Sequence, residues 1–404
     1  MTDTSVLPTR SVPPRQLAWL RTELADWTSQ GIISPDQADR ISHHYRADLH
    51  TRFSIGRILL TIGGAFVGIG LIWLVAANLD QLSPVTRFGA VTVLWLACLV
   101  GGETLAARKS SPPLVGAIRL LAALGTGAVL FQAAQSLQVP AFEPSLLGLW
   151  AAGALLHGYL VRAHMPFVVG ILTGLGWWFA QPLWDEQSGL TVVVLLGTAT
   201  VLAAGLAVVH DSHLPAFAWT WRTVAGGMAL VTLFAAAIPD IGGDGVRWSP
   251  WLVAHLVAAA LAALAALATG SGVQRLEPAG AIAVLVAATL LGLWSTGTDA
   301  SEIDASDWLH AGVSVGAYVV LAVALVALGT VRDHAILTAM AMVGLVVFTT
   351  FQSFAVFAPI VTGAWLFVVL GTVFLGTGFL FDRARRELVQ ALDNDTDNDN
   401  GAAR

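Results

Sequence analysis

From Ile58 to Phe381 the chain alternates between apolar stretches of bilayer-spanning length and short polar gaps. A transmembrane helix needs about 20 apolar residues to cross about 30 Å of hydrocarbon. On that measure the pattern predicts about twelve spans: Ile58–Ala77, Phe88–Ala106, Leu114–Gln135, Leu146–Val161, Pro166–Leu183, Leu190–His210, Trp219–Ile238, Trp251–Thr269, Ala279–Ser295, Trp308–Leu328, Ala335–Phe354 and Ile360–Phe381. The segment before them has a different period. In Gln16–Gln30, Leu17, Leu20, Leu24 and Trp27 recur at helical spacing, and Gly31 is placed to end that helix. Ser34-Pro35-Asp36-Gln37 then has the order N-cap, Pro at the first position and Gln at the third, so a second helix is expected from Pro35 to about His50.

The expected fold is therefore all-α: a polytopic transmembrane helical bundle behind a small N-terminal cytoplasmic helical hairpin. Residues 1–57 form the hairpin region, 58–382 the bundle, and 383–404 a basic then acidic tail too poor in apolar residues to fold. Composition agrees, with 56% hydrophobic and 11% charged residues and a mean hydropathy of +0.74. A soluble domain carries roughly 25% charged residues. The polar start predicts no signal peptide.

Orientation follows from the positive charge in the gaps. The N-terminal region holds Arg10, Arg15, Arg21, Arg40, Arg46, Arg52 and Arg57. Every second gap after it is basic: Arg108 and Lys109, Arg162, Arg222 just inside its span, Arg275, Arg332, and finally Arg383, Arg385 and Arg386. The intervening gaps hold only Arg87 and Arg247. Both termini are expected in the cytoplasm, in the plasma (inner) membrane. Trp184, Trp248, Trp251, Trp294 and Trp308 fall at outer boundaries and Trp219 and Trp221 at an inner one, as an interfacial belt would place them.

Ionisable groups within hydrocarbon are costly and become the first candidates for chemistry. Glu103 and Arg119 each lie eight residues from Ser111, in the turn between two spans. An antiparallel hairpin puts them at one depth, where they would pair and lock the two helices. His157, a few residues before Arg162, should reach a similar depth, and the three would form a proton-responsive or anion-binding cluster if they converge. Gln132 and Gln135 are expected to bridge helices by hydrogen bonds. Asn78 and Asp80 end the first span, Asn78 as a cap for its last carbonyls. Gly64 with Gly68, and Gly170 with Gly174, permit close helix approach.

Other chemistry finds no support. Cys98 is the only cysteine, which excludes an intrachain disulfide or a multi-cysteine metal site. His210-Asp211-Ser212-His213 lacks the glutamate and the register of a zinc hydrolase helix, and His255 and His310 read as solvated interfacial histidines. No metal, cofactor or catalytic set is assigned. The net charge of −6 collects in loops such as Asp299–Asp307 and in Asp393–Asp399, which argues against nucleic acid as a partner.

Leu24–Tyr45, with its Gly31-Ile32-Ile33-Ser34 turn and Gln37-Ala38, precedes Gly63–Gly70 and then Ala76-Ala77-Asn78-Leu79-Asp80. With Gly127–Leu156, including Gln132, Leu146-Leu147 and Trp150, this resembles the prokaryotic membrane proteins grouped as domain of unknown function 2157. Leu79 stands where that family usually has an aromatic, and Ala133-Ala134 where its glutamine is followed by one. The resemblance implies a multi-span membrane protein and no activity. The expected function is a non-enzymatic scaffold, sensor or assembly factor in the lipid bilayer, with the hairpin binding a protein partner. A small-solute transporter or channel using polar groups in the inner half of the bundle is the alternative.

Overall fold

The structure is a computed structural model that describes residues 10–12, 14–47, 83–137, 143–184, 187–294 and 305–357, with isolated positions within 59–70 and 368–383. The predicted first and twelfth spans, with Gly64, Gly68, Asn78 and Asp80, and the acidic tail lie outside the described residues apart from those isolated positions.

Two helices come first, α1 (Pro14–Ser29) and α2 (Pro35–His44). Gly31 takes a φ of +73°, and the Ile32 N–H returns to the Trp27 carbonyl at 2.9 Å. That left-handed turn costs a glycine least. Ser34 accepts from the Gln37 N–H, while the Gln37 side chain accepts from the Ser34 N–H at 2.8 Å, forming a reciprocal capping box. α2 stops at His44, short of the predicted His50, because Tyr45 turns extended and pairs Tyr45–Ala47 (β2) in parallel with Arg10–Val12 (β1). An aromatic residue entering a strand suits that break.

All ten predicted spans within the described residues coincide with helices. They are α3 (Pro84–Ala107), α4 (Pro112–Ser136), α5 (Ser145–Leu160), α6 (His164–Ala180), α7 (Gly189–His210), α8 (Pro215–Ala236), α9 (Pro250–Thr269), α10 (Leu276–Leu293), α11 (Ala305–Val331) and α12 (Ala335–Phe357). Seven apolar helices among the described residues are long and apolar enough to cross a membrane; α5 and α6 are shorter. Ser-Pro pairs explain several starts. Ser83 and Ser249 each accept a backbone N–H of the first turn, with Pro84 and Pro250 at the first helical position, where the missing N–H costs nothing.

Packing divides the helices into α3–α6 and α7–α12. In the second group α7 is central, with 78% of its apolar stretch buried against α8, α9 and α10. In the first, α5 and α6 approach until backbone nearly meets backbone. A Cβ on Gly158 would lie 2.8 Å from the Phe167 nitrogen, and one on Gly170 2.8 Å from the Leu155 nitrogen. The groups join where Phe167 of α6 stacks on Phe217 of α8, centroids 3.9 Å apart.

Candidate functional site

Glu103, Arg119 and His157 come together. Arg119 on α4 donates from Nε to Glu103 Oε1 at 2.8 Å and from Nη2 to Oε2 at 2.6 Å, a bidentate pair between α3 and α4. His157 Nε2 on α5 stands 3.5 Å from Glu103 Oε1. The carboxylate thus gathers three helices around one point. Gly102 makes room for this approach: a Cβ there would sit 3.3 Å from Arg119 Cγ. The Glu103 side chain remains 37% exposed, so its partners compete with water and the cluster is not sealed.

A second, more deeply buried network was not read from the sequence. Arg222 on α8 donates from Nε to Glu277 Oε2 at 2.7 Å, with the two side chains 7% and 3% exposed. Arg222 also pairs with Asp211 at 3.1 Å, and Arg332 pairs with Asp211 at 3.2 Å and with Glu277 at 2.5 Å. Gln274 adds a bond to Asp211 at 3.1 Å. Two guanidiniums and two carboxylates therefore tie the turn after α7, the first turn of α10 and the turn after α11 to the body of α8. The signal was present in the sequence. An arginine inside an apolar helix requires an acid at its own depth, and Asp211 and Glu277 flank neighbouring gaps on the same face.

His334 packs beside this network. Its ring lies against Trp219, centroids 4.3 Å apart, and its Nε2 is 3.2 Å from Thr223 Oγ1. It is only 1% exposed, and its Nδ1 has no hydrogen-bond partner among the described residues. Burial, with the Arg222 charge nearby, pushes its pKa down to about 4. Tyr159 and His210 meet at 3.0 Å and connect α5 to α7.

Other expectations fare differently. Gln132 is buried but bonds along its own helix, to Ser136 at 3.5 Å, and it is Ser136 that reaches the Pro84 carbonyl at 3.3 Å. Gln135 is exposed. Neither glutamine bridges two helices among the described residues: Gln132 is taken up within its own helix, and Gln135 lies on an exposed face of α4. His255 and His310 are buried rather than solvated. His255 packs between Trp177 and Trp178, and His310 lies 3.3 Å from the Leu291 carbonyl. Trp221, placed by sequence in the belt, is buried against Phe167, whereas Trp184, Trp248, Trp251 and Trp308 are exposed.

A cleft of about 700 Å³ runs along the seam between α5–α6 and α7–α9, from Ser145 and Gln181 at one end to Tyr159 at the other. Its wall is mostly Leu, Ala, Gly and Trp. Such a lining accepts hydrocarbon and gives a hydrated ion or polar solute little to bind.

Residues 25–167 match the model of the family described as predicted membrane protein (DUF2157). No curated protein and no solved structure matches the chain. The matched segment includes Glu103, Arg119 and His157 and ends in the first turn of α6, at Phe167 on the seam. Asp211, Arg222, Glu277 and Arg332 lie beyond it.

Proposed function

We propose that this membrane protein is a non-enzymatic scaffold or assembly factor whose N-terminal helices α1 and α2 dock a protein partner, with both termini on the cytoplasmic side of a plasma (inner) membrane. One observation carries the reading. Leu17 and Leu24 are buried, while Trp19 is 60% exposed and Ile32 63% exposed, and α2 holds no buried residue. A large aromatic and a branched aliphatic on so small a unit are anchors of the kind protein interfaces use. The alternation of arginine between gaps supports the orientation.

A solute path draws less support. Glu103, Arg119, Arg222 and Glu277 within the described helices pair with one another, and the cleft along the seam is apolar. Transport needs polar wall groups free to exchange partners.

The test places a photo-crosslinking residue at Glu23, one turn along α1 from Trp19, in the full chain in its native membrane. A discrete protein adduct is expected, lost in Trp19→Ser/Ile32→Ser while membrane content of the chain stays constant. The reading fails if no adduct depends on those two side chains and a deletion strain instead shows a solute-uptake defect restored by wild type but not by Glu103→Ala.

A further inference from the structure

Two turns on one face of the first helix group are built alike. Two residues past the end of α3, Lys109 takes a φ of +55°, and two past the end of α5, Arg162 takes +51°, so each turn reverses on a cationic residue at the membrane edge. Between the turns lies a cavity of about 350 Å³, lined by Ser110, Pro112, Gly116, Arg119, His164 and Met165 among others. Arg119 sits seven residues, about 10 Å, along α4 from Pro112 and faces the cavity from below. Its bond to Glu103 uses Nε and Nη2, and Nη1 makes no hydrogen bond among the described residues.

The charge around this cavity has one sign. Arg108, Lys109 and Arg162 are exposed, and none is in an ion pair among the described residues. From Thr104 to Met165 the only acid is Glu143, at the opposite end of α5. Against Arg108, Lys109, Arg119 and Arg162 stands Glu103 alone, an excess of three positive charges. α4 and α6 also start here without a side-chain cap, adding the positive ends of two helices. Exposed Leu114 and Leu160 at the same level supply the apolar surface that acyl chains cover.

We propose that this cavity binds the phosphate-bearing headgroup of an anionic phospholipid. The phosphate occupies the mouth between the turns, within reach of Lys109 and Arg162, with Arg119 Nη1 below it, and the acyl chains run down past Leu114 and Leu160. A lipid is the source because the cavity opens within the headgroup layer, which is about 5–7 Å deep on each side of the hydrocarbon. This site is separate from the partner surface on α1 and α2 and stands whether or not that surface docks a protein.

The experiment titrates the full-length detergent-purified chain with phosphatidylglycerol or with phosphatidylcholine of the same acyl length, counting retained lipid by native mass spectrometry. Wild type is expected to retain phosphatidylglycerol selectively. Arg108→Ser, Lys109→Ser and Arg162→Ser should each weaken retention by about fivefold, the effect of one cation at an anionic surface. Gly116→Leu fills the cavity and leaves every charge in place; a Cβ there meets nothing closer than Met165 Cγ at 3.9 Å. It should abolish selective retention without lowering the melting temperature. Arg247→Ser, on the opposite face, should change nothing. Equal retention of both lipids overturns the proposal, as does unchanged binding in Gly116→Leu, which would assign the effect to general surface charge. Displacement of the lipid by millimolar inorganic phosphate would overturn it too, making the ligand a free anion.

Discussion

Arg222 and Glu277 stand 55 residues apart in sequence and 2.7 Å apart in space, both almost sealed from solvent. Each also has a second partner of opposite charge, Asp211 for Arg222 and Arg332 for Glu277, so the pair is the centre of a neutral square. Burying two such charges is costly, and what remains after one is removed is worse than the intact pair.

Replacing Arg222 by Met should therefore destabilise the protein by about 3 kcal/mol, because Glu277 keeps only Arg332 and Asp211 loses a partner. Arg222→Met/Glu277→Met leaves the Arg332–Asp211 pair intact and should lose less than the sum of the single variants. Chemical unfolding in mixed micelles measures the cycle. Strict additivity would show that the two side chains do not act together.

The α5–α6 contact makes a sharper distinction between two glycines of one motif. A methyl on Gly170 would press on the Leu155 backbone nitrogen at 2.8 Å, whereas one on Gly174 meets Ala151 Cβ at an ordinary 3.6 Å. Gly170→Ala is expected to cost about 1–3 kcal/mol through forced helix separation. Gly174→Ala should be neutral or slightly stabilising, since alanine favours helix. Thermal melts of the two variants read the difference, and equal melting points would refute the contact.

His334 predicts a pH dependence. Its folded pKa of about 4 lies below the unfolded value of about 6.5, so the unfolded chain binds more protons between those limits. Its contribution is most favourable above about pH 6.5 and is lost as pH falls towards about 4. His334→Gln keeps a polar group near Thr223 and should flatten the stability profile in that window. A wild-type profile that rises on acidification from pH 6.5 to 4.5 would contradict the sign.

Topology can be read by labelling. In a Cys98→Ser background, an impermeant maleimide added outside the cell should label Asp244→Cys, in the turn between α8 and α9. Ser110→Cys and Ser212→Cys should stay dark until the membrane is permeabilised. The reverse pattern would invert the molecule and the arginine argument with it.

Much of this was legible before any coordinates. The ten helices from α3 to α12 lie where apolar length placed them, and the capping box at Ser34 and Gln37 forms as its spacing requires. The Glu103–Arg119 pair was readable because both residues flank one short turn at equal distance. Antiparallel geometry then leaves them nowhere else to go. The same reasoning stops short of Arg222, whose partners Asp211 and Glu277 come from the turn before α8 and the first turn of α10, so that which acids meet it depends on how α7, α8 and α10 pack. Gln132 went astray for a local reason: a buried amide can satisfy itself within its own helix, and spacing alone does not say which bond it takes.

Hydrocarbon as solvent imposes a one-dimensional rule, that backbone polar groups must pair within each span, so helix positions and the polarity of each loop are properties of the sequence alone. Which spans become neighbours is another matter, because lipid solvates every apolar face equally and only shape and buried charge discriminate. The seam at Phe167 and Phe217, the four-membered network around Glu277 and the cavity beneath the two basic turns were therefore decided by tertiary packing.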